Sequence, residues 1–185
     1  LACIPEDRLG QGAVPSMSLV DNALLTASRA QAVTRGGFIR RGRLGAIATD
    51  VVAGRDVRCP GVSTLAQSLS GGNLQKYITG RELGKRPRVL IAAQPTWGVD
   101  AGAAGAIHQA LLELADEGAA VLIISQELDE LMTLCERIAV IAEGRLDEAE
   151  PTAALTPELI GMRMAGATSE AGGRGPAREG RDGGA

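Results

Sequence analysis

The chain has 185 residues, a formal net charge of -3 and a composition that is 45 % hydrophobic, so it is long enough for one domain with a buried core. Aromatic residues make up only 2 %, which leaves no platform for stacking single-stranded bases, and the mild acidity disfavours a duplex-binding surface. The cysteines are scattered and the single histidine, His108, is interpreted as an ordinary helix residue, so neither a disulfide framework nor a metal site is predicted.

The first part of the chain combines loops with helical patterns. Leu1–Ile4 is a short apolar run that Pro5 ends, as expected for the tail of a buried strand. Ser18 is a suitable N-cap for a helix that runs to Leu25. A second helix is predicted over 41–53, with basic residues at its start.

Apolar runs in the second half of the chain predict strands of a parallel sheet. The runs over 89–93 and 119–124 are continuous, as in strands that are covered on both faces. A helical pattern over 101–115 separates them, and another over 128–134 follows the second run. A third strand is predicted over 138–141, with a tight turn after it. This alternation is typical of βαβ units and therefore of an α/β fold.

The C-terminal part contains one more predicted helix and a tail. Thr156 is a suitable N-cap and Pro157 a suitable first residue for a short helix that ends near Met164. From Gly166 onward the chain contains almost no bulky apolar residue, so the tail is predicted to be disordered. No apolar run approaches the roughly 18–20 residues that a membrane-spanning helix needs.

The segment Leu69–Lys76, which reads LSGGNLQK, is the most informative feature of the sequence. Ser70 is a good N-cap for a helix predicted over 72–83, because its hydroxyl can accept a hydrogen bond from the first turn. Gly71 and Gly72 remove side-chain bulk, so a ligand can approach the backbone closely. The positive end of the helix dipole and its unpaired N–H groups suit a phosphate. A plain serine-capped helix with a glycine-rich start is the alternative interpretation.

This segment resembles the signature motif of ABC-transporter ATPases, and further stretches resemble other motifs of that family. The strand that ends at Ala93 resembles the Walker-B strand, and Gly98–Asp100 resembles the D-loop. The family's magnesium-binding aspartate and water-polarising glutamate correspond to Ala93 and Gln94 in this sequence. An alanine methyl cannot hold a metal's water shell, and a neutral amide cannot accept a proton as a base. Without the neighbouring motifs, a buried strand that enters a loop would explain this stretch.

Two more segments resemble family motifs, and one motif is missing. Ser125–Glu130 resembles the switch region, with Gln126 in place of a histidine that usually contacts the γ-phosphate. Pro5–Arg8 resembles the Q-loop segment in the second ATPase half of sugar and nucleoside importers, although a charged surface loop would look similar. Gly80–Arg86 is the nearest match to a P-loop, but it is one residue short between its glycines and precedes a strand.

The resemblance covers about residues 1–146 and implies an α/β fold, that of a P-loop NTPase-like ABC nucleotide-binding domain. Because the chain starts at Leu1 within a motif and lacks the P-loop, we expect it to be a C-terminal fragment of a longer protein. The implied organisation is a Q-loop-like segment of the core (1–15), a helical subdomain with the signature motif (16–86), the second part of the ATPase core (87–147), a C-terminal helix (148–165) and a disordered tail (166–185).

The sequence most resembles the C-terminal ATPase half of nucleoside or simple-sugar importers, which carry two ATPase halves on one polypeptide. In this family each ATP lies between the P-loop of one half and the signature motif of the other. The resemblance therefore implies that this chain completes one site in trans while the site on its own half turns over poorly. The implied nucleotide-binding residues are Ser70, Gly71, Gly72, Gln75 and Asp100, and the degenerate catalytic positions are Gln94 and Gln126.

The cofactors implied for the full-length protein are ATP and Mg²⁺. The implied partners are an N-terminal ATPase half or second ATPase subunit and a membrane permease that meets residues 16–57, without nucleic acid. The implied location is peripheral, on the cytoplasmic face of the membrane. One alternative is a non-catalytic protein-interaction module with an ABC-like core. Another is an ABC-type DNA-maintenance ATPase, but the long heptad repeats or basic face of that class are not visible.

Overall fold

The computed structural model describes residues 1–27 and 32–166, and these divide into two compact units. The first unit is Leu1–Cys135, and the second begins at Glu136. The tail after Gly166, for which disorder is predicted, lies outside the described residues.

The described residues form six α-helices, and most begin where a polar residue can cap the first turn. Side chains of Ser18, Ser70, Asp100 and Thr156 each accept a hydrogen bond from the backbone N–H three residues later. All six predicted helices are confirmed to within about two residues at each end. The helices are α1 (Leu19–Leu25), α2 (Arg41–Gly54), α3 (Gly71–Leu83), α4 (Ala101–Asp116), α5 (Leu128–Leu134) and α6 (Pro157–Met164).

The strands form one parallel sheet and several short antiparallel pairs. The parallel sheet has three strands in the order β1-β4-β5 and belongs to the first unit. This arrangement confirms the α/β fold and the strand tail at the start of the chain. The strands are β1 (Ala2–Ile4), β2 (Thr34–Arg35), β3 (Phe38–Ile39), β4 (Val89–Ala93), β5 (Ala120–Ile124), β6 (Arg137–Ile138), β7 (Ile141–Ala142), β8 (Arg145–Leu146) and β9 (Glu150–Pro151).

Among residues 1–27 and 32–166, the parallel sheet is covered on one face only, so the prediction that its strands are covered on both faces is wrong there. Leu90 and Ile4 are fully buried and pack against apolar residues of α3 and α4. On the opposite face, Leu122 and Ile124 of β5 are 55 % and 52 % exposed. An apolar run does not by itself reveal how many faces are covered, because that depends on which elements pack against the strand.

The predicted third strand over 138–141 is also wrong. Two short strands occupy this stretch instead, and neither belongs to the parallel sheet: β6 pairs with β9 and β7 with β8, both antiparallel. Ile138 and Val140 are buried while Ala139 and Ile141 are exposed, which is the alternation of a strand with one solvated face. The tight turn predicted after this run is confirmed at 143–144, between β7 and β8.

Helix α3 joins the sheet to a second group of helices. One side of α3 contributes Leu74 and Ile78 to the sheet core, while Tyr77 packs in a separate cluster with Leu19 and Val57. The hydroxyl of Tyr77 donates a hydrogen bond to the backbone oxygen of Leu19, which ties α3 to α1. The middle of α3 is therefore held from both sides.

Tyr77→Phe is expected to lower the free energy of unfolding at neutral pH by about 1–2 kcal/mol, because a buried carbonyl loses its donor. Chemical denaturation of both proteins would measure the difference. A change smaller than the error of the measurement would contradict the role of this hydrogen bond.

Tyr77 also predicts a loss of stability at high pH. Burial raises the pKa of Tyr77 far above its ordinary value of 10.0. Above pH 10 an unfolded chain loses this proton while the folded chain keeps it, so stability that is complete below pH 10 falls as the pH rises. Because Tyr77 is the only tyrosine in the sequence, tyrosinate absorbance should appear only as the chain unfolds. Titration of the folded chain near pH 10 would contradict this prediction.

Candidate functional site

The signature-like segment places its hydroxyl and glycine amides at the surface. Ser70 is exposed and caps α3, with its Oγ accepting from the backbone N of Asn73 at 3.4 Å and from Asn73 Nδ2 at 2.9 Å. Gly71 is exposed and Gly72 is half-buried. The N–H groups of a first helical turn have no partner inside the helix, so these amides are suitably placed to donate to an anion.

Arg8 brings three of the motif-like segments to one point. A Cβ atom added to Gly71 would lie 2.7 Å from Arg8 Nη1, and one added to Gly98 would lie 3.4 Å from Arg8 Nη2. Nη2 is buried without a hydrogen-bond partner among the described residues, and burial lowers the pKa of Arg8. The sequence motifs assign Arg8 no role. The sequence indicates where the Arg8 side chain lies only through the glycines at 71 and 98, which leave room for its guanidinium.

Gln75 holds the loop after β4 and does not face solvent. Its Nε2 donates to the backbone oxygen of Pro95 at 2.8 Å, and the side chain is buried. This contact links α3 to the loop between β4 and α4. The geometry suits a residue that orients the loop, and a direct contact between Gln75 and a ligand would need the site to open.

Asp100 is the N-cap of α4 and lies at the same cleft as the signature-like segment. Its Oδ1 accepts a hydrogen bond from the backbone N of Ala103 at 2.9 Å, and this bond is the main cause that lowers the pKa of Asp100. Ser70, Gly72 and Asp100 line one open cleft with a volume of about 670 Å³. Three basic side chains also line this cleft: Lys76, which ends the signature-like segment, and Arg55 and Arg58, which lie outside the motifs.

Gln94 and Gln126, which the sequence predicts to be degenerate catalytic positions, lie at the carboxyl edge of the parallel sheet. Gln94 follows β4, and its backbone N donates to the oxygen of Ile124, the last residue of β5, at 2.8 Å. Gln126 follows β5 and is exposed. Gln94 has a positive φ of 49°, and its Oε1 is buried without a partner in the described ranges. Such strain often accompanies functional loops.

The two positions that end β4 and begin the loop after it supply no carboxylate for a metal ion. Ala93 occupies the position that resembles the metal-binding aspartate, and Gln94 is neutral. Within 1–27 and 32–166, no group of three or more His, Cys, Asp or Glu side chains is placed to hold a metal. The start of α3 therefore suits the phosphates of a nucleotide, whereas Ala93 and Gln94 do not fit Mg²⁺.

A buried carboxylate connects three elements behind the candidate site. Glu130 Oε1 accepts a hydrogen bond from Thr96 Oγ1 at 2.7 Å and lies 3.0 Å from His108 Nε2. His108 is in α4 and Glu130 in α5, so this contact joins both helices to the loop after β4. The sequence predicts His108 to be an ordinary helix residue and does not indicate its contact with Glu130.

Gly98→Ala is expected to destabilise the chain by about 1–2 kcal/mol. Gly98 has a φ of 61°, which an alanine adopts only with strain, and its Cβ would also press on Arg8. Gly105 offers a matched control, because it lies inside α4 and a Cβ there would meet no atom within 4 Å. Gly105→Ala should stabilise the chain by up to about 1 kcal/mol. Thermal melts that show the same sign for both variants would contradict the prediction.

Comparison with known proteins identifies relatives that are longer than this chain. No family model matches the chain. The chain is 41 % identical over 171 residues to the guanosine import ATP-binding protein NupO of Bacillus subtilis (strain 168), a match that covers 92 % of this chain and 34 % of the relative. It is 38 % identical over 171 residues to the ribose import ATP-binding protein RbsA 2 of Streptomyces avermitilis, covering 92 % of this chain and 33 % of the relative. The chain thus spans about a third of the length of the curated relatives it matches.

A solved structure shows the same fold. The chain superposes with a TM-score of 0.66 on a dimeric ATP-binding cassette in a post-hydrolysis state bound to ADP and Pi. The match is 20 % identical and covers 82 % of this chain and 62 % of that chain. In the described part of the chain, no helix has the length and hydropathy that a bilayer crossing requires. Over about nine tenths of its length the chain is therefore similar to one part of the ATP-binding proteins of nucleoside and ribose importers, and its fold is that of an ATP-binding cassette.

Proposed function

We propose that this chain is part of the ATP-binding subunit of an ABC importer for a nucleoside or a sugar. In this proposal its signature segment completes an ATP site whose P-loop lies on another ATPase half. The observation that carries the proposal is the exposed start of α3, where the Ser70 hydroxyl and the Gly71 and Gly72 amides border an open cleft. The relatives named for guanosine and ribose import support the class of transported solute.

The start of α3 has the donors that a terminal phosphate needs. The Ser70 hydroxyl and the two glycine amides each can donate one hydrogen bond to a phosphate oxygen, and each such charge-assisted bond contributes about 1.5–3 kcal/mol. Gln75 keeps the neighbouring loop in place through Pro95. Asp100, at the edge of the same cleft, couples the two sites of the dimer. When bound, ATP would supply the phosphoryl group that is transferred to water, and this reaction releases free energy.

The two ATP sites of the full protein are unequal in this proposal. Ala93, Gln94 and Gln126 belong to the site that this half would form with its own P-loop, and they lack the acid and base that hydrolysis needs. Mg²⁺ at the productive site would be held by the other half, because that half carries the P-loop on which the nucleotide lies. The productive site therefore depends on Ser70 and not on position 93 or 94.

The proposed partners follow from the same architecture. An N-terminal ATPase half or a second ATPase subunit supplies the P-loop, and a membrane permease meets residues 16–57. The protein would then lie at the cytoplasmic face of the membrane as a peripheral subunit. A chain of this sequence alone would bind ATP weakly and hydrolyse none.

Nucleotide-dependent association tests the proposal against the alternative of a docking module. The full chain is mixed with an ABC ATPase half that carries a P-loop, and association is measured by analytical ultracentrifugation with and without ATP and Mg²⁺. We expect association that requires ATP, that Ser70→Arg abolishes, and that the control Ser63→Arg, at an exposed turn, leaves intact. Association that is equal with and without ATP would support the docking module instead. Absence of association under both conditions would contradict the proposal.

A further inference from the structure

An exposed segment far from the signature motif in sequence combines apolar and basic side chains. We call residues 34–43 the arginine hairpin: it contains β2, β3 and the start of α2, and all ten residues are exposed. Gly36 and Gly37 form the turn with φ values of 57° and 83°, as a tight two-residue hairpin turn requires. Phe38 is 81 % exposed, and the neighbouring Ile39 is half-exposed.

The arginine hairpin is strongly positive. Its sequence contains no acidic residue, and its arginines are Arg35, Arg40, Arg41 and Arg43. Asp21 lies 3.6 Å from Arg41 and offsets one charge, while Arg40 Nη1 donates to the neutral backbone oxygen of Ala32 at 3.3 Å. The first turn of α2 contains no acidic side chain, so the positive end of its dipole adds to this potential.

We propose that the arginine hairpin binds the anionic surface of a phospholipid membrane. Phe38 would insert at the level of the headgroups, and the arginines would contact lipid phosphates. An exposed hairpin with a bulky aromatic side chain next to its turn suits a deformable surface better than a rigid protein partner, which would need a groove of matching shape. The strands of the hairpin have two residues each, so they offer little edge for strand addition.

This inference does not rest on the ATP site, because membrane binding requires neither nucleotide nor a second ATPase half. It also differs from docking on a permease, although residues 34–43 lie within the segment proposed for that contact. A hairpin made for the permease alone would not bind vesicles that contain only lipid. The two proposals can therefore fail independently.

Cosedimentation of the full chain with phosphatidylglycerol and phosphatidylcholine vesicles tests the charge requirement. We expect binding to the anionic vesicles only, and loss of that binding in about 1 M salt, where the screening length falls to about 3 Å. The triple variant Arg35→Gln, Arg40→Gln and Arg41→Gln should partition about 100-fold more weakly, at about fivefold per charge. The matched triple variant Arg86→Gln, Arg88→Gln and Arg145→Gln removes exposed charges elsewhere and should bind much more tightly than the hairpin variant.

Fluorescence tests whether the tip inserts. Trp97 is the only tryptophan, so a Trp97→Phe and Phe38→Trp double variant places the sole indole at the tip. Its emission should shift to shorter wavelength on anionic vesicles, whereas the emission of the unaltered chain should not. Leu122→Ser with Ile124→Ser alters the open sheet face and should leave binding unchanged. No binding to anionic vesicles, equal loss in the two arginine triple variants, no shift at position 38, or loss in the sheet-face variant would overturn the proposal.

Discussion

Ser70→Ala is expected to reduce ATP turnover by at least about 100-fold in a protein that joins this chain to a P-loop-bearing half. Removing one preorganised donor from developing charge costs about 10²–10³ in rate, and the Ser70 hydroxyl is such a donor in the proposed site. Steady-state phosphate release measures the effect. The expected loss lies in turnover and not in folding, because the N-cap itself is worth only about 1 kcal/mol.

Ser18 provides a control with the same local structure. It caps α1 as Ser70 caps α3, with its Oγ accepting from the backbone N of Asp21 at 3.0 Å, but it does not border the cleft with Ser70 and Asp100. Ser18→Ala should therefore cost similar stability and leave turnover nearly unchanged. Restoring acids at the degenerate site, with Ala93→Asp and Gln94→Glu, should change turnover by a few-fold at most. A large gain from those acids together with a small loss from Ser70→Ala would contradict the proposed asymmetry.

Arg81→Met is expected to lower the free energy of unfolding by about 3–5 kcal/mol, because it leaves a buried carboxylate without one of its partners. Arg81 and Glu82 are 3 % and 2 % exposed, and Arg81 Nε lies 2.9 Å from Glu82 Oε1. Arg81 also donates to the backbone oxygens of Asn22 at 3.2 Å and Gly12 at 2.8 Å. It thus joins α3 to α1 and to the loop after β1.

Denaturant unfolding of three variants separates the loss of the ion pair from a change in volume. Arg88 is exposed, so Arg88→Met should change stability by less than about 0.5 kcal/mol. Adding Glu82→Leu to Arg81→Met removes the stranded carboxylate and should recover part of the loss, although Lys85 then lacks its bond to Glu82. A loss for Arg81→Met no larger than that for Arg88→Met would show that the buried pair contributes nothing.

The helix boundaries could be predicted because the signals that set them are local. Ser18, Ser70 and Thr156 cap helices whose first residues follow directly, and the structure confirms each. The hairpin at 34–39 was missed although Gly36–Gly37 is a turn signal, because two-residue strands show too little alternation. The candidate site was read from contiguous motifs, so its glycines and Asp100 could be named without a structure.

Tertiary contacts decided which strand faces are buried, which strands pair and which distant residues meet, and neither a sequence pattern nor a motif predicts these. Whether Leu122 is buried depends on which elements cover its face of the sheet, and whether Ile138 joins the parallel sheet depends on the partner that its backbone finds. Arg8 between two glycines and Glu130 beside His108 are contacts between residues distant along the chain. The sequence by itself determined the helices, the three strands of the parallel sheet and the signature-like segment, since these arise from neighbouring residues. Only the tertiary structure decided that one sheet face is open, that Arg8 lies between Gly71 and Gly98, and that the cleft forms. Burial and pairing depend on segments that are brought together in space.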